Sequence, residues 1–207
     1  IRISGGTDNE IRYCNVYGNN FGIRVNEGSG NTIKNCDIYN NTTHGIDIIQ
    51  STGTTVVYNK IHGNTQYGIR TESSPEISRN LIYDNTFGIL VEVLSENSAS
   101  PTIKNNVIYE TVSGAMSYGI FTRASNDSQA NPVIYHNTID GGTISGIAME
   151  KDDSSSSAPI IKYNIITEFG QYGIHNSGAS PTIDYNDVWN NTTDNYNGCT
   201  AGANDIS

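Results

Sequence analysis

Apolar residues alternate with polar ones in runs of three to five, separated by Gly, Asn, Ser and Thr. Alternation with a period of two marks short strands that turn one face inward. No period of 3.6 residues persists, so helices are not expected. The strands also recur in a fixed order. Gly-Ile stands at 22, 45, 68, 88, 119, 146 and 173, and a second phrase precedes each occurrence. That phrase reads Ile33-Lys34-Asn35-Cys36-Asp37-Ile38-Tyr39, then Ile77-Ser78-Arg79-Asn80-Leu81-Ile82-Tyr83, then Ile103-Lys104-Asn105-Asn106-Val107-Ile108-Tyr109. The same frame opens at Ile11, Val56, Ile134, Ile161 and Ile183, giving eight copies spaced 21 to 31 residues apart.

A repeat of this length, holding two or three short strands, predicts an all-β parallel β-helix of about eight coils. At about 4.8 Å per coil, eight coils make a rod roughly 38 Å long. Equivalent positions then form columns. Two columns are apolar and point inward: Val16, Ile38, Ile61, Ile82, Ile108, Ile139, Ile166 and Val188, and Ile23, Ile46, Ile69, Ile89, Ile120, Ile147 and Ile174. A slip of one residue would turn either outward, so the register is well specified. A third column reads Cys14, Cys36, Asn59, Asn80, Asn106, Asn137, Asn164 and Asn186. Stacked amides at one corner predict a hydrogen-bonded ladder. Cys14 and Cys36 extend it and should be adjacent, either as stacked thiols or as a disulfide.

Composition sharpens this picture. Of 207 residues, 27 are Asn and 21 are Gly, and only 35% are hydrophobic. A narrow core accounts for the low hydrophobic fraction, and repeated corners for much of the Asn and Gly. The formal charge of −10 argues against non-specific nucleic-acid binding. No apolar run approaches the ~18 residues of a membrane span, so membrane insertion is not expected. The acidic, Asn/Ser/Thr/Tyr-rich make-up points to an extracellular or cell-surface setting.

The phrases "IKNNVIY…YGIF" and "PTIDYNDVWNN" resemble the right-handed parallel β-helix repeat of the pectin-lyase-like superfamily, over nearly all of residues 1–191. The resemblance implies one right-handed β-helix domain over 1–207, a segment of a longer protein, with an irregular tail at 192–207. It also implies polysaccharide, or a cell-surface glycan, as partner. For an enzyme, the implied chemistry is that of a polysaccharide lyase or glycoside hydrolase. The family's catalytic phrases are not found: Asn137-Thr138-Ile139-Asp140 is a partial echo, and His44-Gly45 lacks a preceding Gly. The residues therefore leave two readings open. One is a polysaccharide-contacting module; the other is a structural or adhesive rod whose units stack end to end.

Function on such a rod falls to the outward columns. One runs Arg2, Arg24, Asp47, Arg70, Leu90, Phe121, Ala148 and His175; the next runs Ser4, Asn26, Ile49, Glu72, Glu92, Arg123, Glu150 and Ser177. Glu72, Glu92, Arg123 and Glu150 are the candidate catalytic group. Glu72 and Glu92 should be one coil, about 5 Å, apart, as in a retaining glycosidase pair. Glu92 and Glu150 should be about 9.6 Å apart, near the inverting range. Alternating charges down an exposed sheet also form simple ion-pair ladders. Insertions at 93–100, 124–131 and 151–158 all follow the same strand, and a fourth at 110–117 leaves elsewhere. Glu150, Asp152 and Asp153 are candidate calcium ligands, as hard oxygens at the mouth of one insertion. No other cofactor is expected. Tyr17, Tyr39, Tyr83 and Tyr109 form an outward aromatic column, a candidate carbohydrate-binding stripe or a self-stacking ladder.

Overall fold

The computed structural model describes residues 1–94 and 97–207. Each coil contributes one strand to each of three parallel sheets. The first sheet has nine strands, from Arg2–Ser4 to Asp194–Asn197, and carries the Gly-Ile phrases. The second and third have eight strands each, from Glu10–Arg12 to Thr182–Asp184 and from Asn15–Tyr17 to Asp187–Trp189. The described residues contain no helix. The result is a right-handed β-solenoid of about eight coils.

Register follows the expected columns. Ile38, Ile61, Ile82 and Ile108 stack in the third sheet, and Ile46, Ile69, Ile89 and Ile120 in the first. All eight of these side chains are fully buried. Burial of one isoleucine is worth about 1.5–3 kcal/mol, so the thin core gains its stability by repetition. The conserved spacing of Gly before Ile has a steric cause. A Cβ on Gly119 would lie 2.3 Å from Ile139 Cγ2 and 2.7 Å from the Gly146 carbonyl oxygen.

The corner between the second and third sheets carries the asparagine ladder. Each side-chain oxygen accepts the backbone N–H of the Asn one coil before it, as Asn106 does from Asn80 at 3.0 Å. Each amide donates onward, so that Asn106 Nδ2 reaches Asn137 Oδ1 at 3.0 Å and the Ile77 carbonyl at 3.0 Å. The ladder thus satisfies buried backbone groups that a sharp turn would otherwise leave unpaired. The residue before each member of this column sits in the left-handed region, from Tyr13 at φ 53° to Tyr185 at φ 59°. Cys14 and Cys36 continue the column as free thiols. Their sulfurs donate to the Arg12 and Lys34 carbonyls at 3.2 and 3.3 Å. Burial raises the Cys36 pKa.

Two parts of the chain are more ordered than their composition suggests. Residues 192–207, expected to be irregular, begin with the strand Asp194–Asn197, paired to Tyr172–Ser177. Ile206 then bridges Asp187. The tail's backbone thus continues the first and third sheets by one more rung. The insertions also stack instead of projecting separately. Ser98–Ala99 pairs with Gln129–Ala130, and Gln129 bridges Ser156. Within the first of them, Ser95 and Glu96 lie outside the described residues.

Candidate functional site

The outer face of the first sheet brings Glu72, Glu92, Arg123 and Glu150 into one column. Glu92 is in register with Arg123, and Arg123 with Glu150. Arg70, one column over, organises most of the group. Its Nη1 donates to Asp47 Oδ1 at 3.1 Å, its Nη2 to Glu72, and its Nε and Nη2 to Glu92 Oε2 at 3.3 and 3.1 Å. Arg24 Nε lies 3.2 Å from the other oxygen of Asp47, whose side chain is 1% exposed. Burial opposes the charge on Arg70, but the carboxylates of Glu72 and Asp47 more than offset it and raise the guanidinium pKa. Glu72 and Glu92 therefore share one cation. The two carboxylates expected to lie one coil apart are thus bound to the same guanidinium.

Glu150 differs from them. Arg123 Nη1 leans toward Glu92 Oε1 at 3.8 Å. Glu150 has no hydrogen-bond or ion-pair partner among the described residues. It borders an open shelf of about 200 Å³ with Arg123, Ser125, Lys151, Asp152 and Ser177. A second depression of about 270 Å³ lies beside Glu72, Gln50, Ser73 and Asn97. Near the shelf, burial and then the charge of Glu150 push the Tyr118 phenol pKa up. His175 stacks on Tyr172 at 5.1 Å, and its Nδ1 lies 2.8 Å from Asn197 Oδ1.

The candidate calcium ligands do not come together. Among the described residues no three His, Cys, Asp or Glu side chains could hold a metal ion. Asp152 is used as a turn acceptor instead. Its Oδ2 takes the Asn126 N–H at 2.7 Å, and its Oδ1 takes the Ser155 N–H at 2.9 Å. Hydrogen bonds to Ser155 and Asn126 hold its carboxyl at about 2, well below the usual range. Asp153 is exposed.

The candidate carbohydrate stripe is a continuous ring stack. Tyr17–Tyr39, Tyr39–His62, His62–Tyr83 and Tyr83–Tyr109 have centroids 5.0, 5.1, 4.6 and 5.1 Å apart, all stacked. Each inner ring spends both faces on its neighbours, leaving edges and hydroxyls outward. The end rings, Tyr17 and Tyr109, each stack on one neighbour only in this column.

Two features escape the sequence reading. Leu90, Phe121 and Ala148 point out of the first sheet yet are buried beneath Tyr67, Phe87 and Tyr118. The signal was available, because an apolar run in an outward column needs a cover. The second is the exposed left-handed corner beside the Asn ladder, where Tyr13, Tyr58, Arg79, His136, Tyr163 and Tyr185 stand. The residue preceding each ladder Asn would have revealed it.

A family model described as a right handed beta helix region matches residues 1–130. No curated protein sequence matches the chain. Among solved structures, the chain is similar to the periplasmic alginate epimerase AlgG. The two are 19% identical with a TM-score of 0.63, over 87% of this chain and 46% of that one. A double mutant of the same epimerase gives 18% and 0.64, over 88% and 50%. The likeness at these identities is one of fold, and the chain spans about half the length of the structures it matches.

Proposed function

Because the chain belongs to the right-handed β-helix family, whose core leaves only outer faces for recognition, we propose that it is a polysaccharide-contacting module of an extracellular or cell-envelope protein. The observation that carries this reading is the shelf at Glu150. It is polar, open, and lined by a carboxylate that no described side chain neutralises. Arg123, Lys151 and Ser177 beside it supply donors, and Glu150 and Asp152 supply acceptors. Mixed donors and acceptors on an open shelf suit the hydroxyls of a glycan better than a compact apolar ligand. The similar solved structures are of an alginate epimerase, a protein that acts on a polysaccharide. That supports the class of partner and nothing finer.

In this reading Glu72 and Glu92 are structural. They neutralise Arg70, and of the three candidate glutamates Glu150 is the one without a partner among the described residues. The module is therefore assigned to contact, not to cleavage. Incubation with a panel of polysaccharides, followed by measuring glycan retention, reducing ends and unsaturated product, tests it. Retention that falls in Arg123→Gln and Glu150→Gln is the expected result. Cleavage abolished by Glu150→Gln would turn the module into an enzyme.

The second reading, a structural rod, is favoured by the paired ladders of amides, rings and ions along the solenoid. End-to-end assembly seen by electron microscopy, with no glycan retained, would establish it in place of the first.

A further inference from the structure

The asparagine ladder changes its chemistry at two positions. From Asn59 to Asn186 every member of the column is an amide, but Cys14 and Cys36 occupy the two places before them. Strand pairs on either side set these two opposite each other, with Arg12 in register with Lys34 and Asn15 with Asp37. Their Cα atoms are then one coil apart, about 4.8 Å. A disulfide bridges Cα atoms about 4.4–6.8 Å apart. Each thiol donates to the carbonyl two residues before it, at 3.2 Å for Cys14 and 3.3 Å for Cys36. The two side chains therefore turn the same way.

The rung between them is the weak one in the column. From Cys36 onward each backbone N–H has an asparagine oxygen in the next coil as its acceptor, beginning with Cys36 to Asn59 Oδ1 at 3.0 Å. The Cys14 N–H faces the Cys36 sulfur instead, and sulfur is a weak acceptor. The Cys14 thiol faces the same sulfur. The two cysteines differ in access. Cys36 is 3% exposed, whereas Cys14 is half-buried and within reach of a reagent in solvent. Cys199 stands apart, beyond the strand Asp194–Asn197, where burial pushes its thiol up to about 11.

We propose that Cys14 and Cys36 are a redox-controlled cross-linking site, where a disulfide replaces the missing amide rung and locks two adjacent coils together. The oxidant is a small disulfide, RSSR. The Cys14 thiolate attacks one of its sulfurs, the S–S bond breaks, and RS⁻ leaves. The Cys36 thiolate then attacks the Cys14 sulfur of the mixed disulfide and expels the second RS⁻. The two thiols give up two protons to solvent and two electrons to RSSR, which ends as two thiolates. Burial raises the Cys36 pKa, so the second step quickens as pH rises. A reducing setting keeps the thiols open, and an oxidising one closes the rung. The site stands apart from the glycan reading and does not depend on it.

The full chain, reduced with dithiothreitol and then exposed to oxidised glutathione, tests it. Thiols titrated in the denatured protein should fall from three to that of Cys199 alone. Peptide mass spectrometry should find Cys14 joined to Cys36 in the same molecule. The melting temperature should rise by roughly 6–12 °C over the reduced form. Cys14→Asn/Cys36→Asn, which extends the amide ladder, should fold and lose the response to oxidant, while Cys199→Ser should keep it. Three thiols that persist after oxidation would overturn the proposal. So would a product that stops at a glutathione adduct on Cys14, or one that pairs Cys14 between two molecules. An intramolecular bond that leaves the melting temperature unchanged or lower would overturn it too, since the coils would then gain nothing from the rung.

Discussion

Asp205 terminates the asparagine ladder by standing where the next asparagine would. Its Oδ1 accepts the Asn186 backbone N–H at 2.6 Å and the Asn186 side-chain amide at 3.2 Å. Its Oδ2 takes the Tyr196 hydroxyl at 2.9 Å and the Gly202 N–H at 2.8 Å. Asp205→Ala should therefore cost about 2 kcal/mol in urea unfolding, because it strands several buried donors at once. Asp205→Asn keeps an acceptor and should cost less. Equal losses in the two variants would show that the ladder's end needs the charge and not the acceptor.

In mid-ladder, Asn106→Ala removes the acceptor for Asn80 and the donor to Ile77. A loss of about 3 kcal/mol is expected, since both neighbours stay buried with unpaired groups. Equilibrium unfolding measures it. A change under ~0.5 kcal/mol would mean that the corner's backbone finds other partners.

Gly119→Ala tests the steric role of the Gly-Ile phrase. The new methyl would press on Ile139 and on the Gly146 carbonyl, so a loss of about 1–3 kcal/mol is expected from overpacking. Gly18→Ala gives the contrast, because nothing lies within 4 Å of its Cβ but its φ is +69°. The first should act through packing and be eased by Ile139→Val; the second should not respond to that change.

The Arg70 cluster predicts strong coupling. Arg70→Met leaves Asp47, buried under Arg24, with one cation in place of two. The cost should be about 3 kcal/mol, dominated by the carboxylate left behind. Adding Asp47→Asn should recover much of it. Strictly additive effects in the double-mutant cycle would dissolve the cluster into independent surface pairs.

His44 introduces a pH dependence. Its ring lies 5.0 Å from that of Phe21 and 4.6 Å from that of Tyr67, and its Nδ1 has no hydrogen-bond partner. Burial pulls its pKa below the usual imidazole range. The nearby Asp47 opposes this, and Arg70 and Arg24 reinforce it. The unfolded chain binds this proton at about pH 6.5 and the folded chain only at lower pH. The contribution is thus full above that value and is lost as pH falls toward the folded pKa. The difference in melting temperature between wild type and His44→Phe, followed from pH 7.5 to 5, should widen against the wild type. Curves that stay parallel would contradict it.

Much of the solenoid was legible because its signals are local and repeated. The inward Ile columns and the Asn59-to-Asn186 ladder follow from spacing alone. A second ladder, Asn19, Asn41, Asn64 and Asn85, is equally regular in spacing. The candidate site was less legible. Spacing placed Glu72 and Glu92 one coil apart, but not Arg70 between them, because a long guanidinium reaches diagonally across columns. Spacing also put Asp152 and Asp153 near Glu150, but not the Asp152 contacts that use its oxygens as a turn.

The sequence by itself determined the coil, the register and the residues sharing each column, since a period of two on a constant rise leaves little freedom. Only the tertiary structure decided what those columns do. Ring stacking turned the Tyr17–Tyr109 stripe inward on itself, and Arg70 closed the acidic pair. The shelf left Glu150 unpaired, and the Asn-ladder backbone lifted Tyr58 and Tyr163 into solvent. Side-chain reach and corner geometry settled these outcomes, and neither is written in the period.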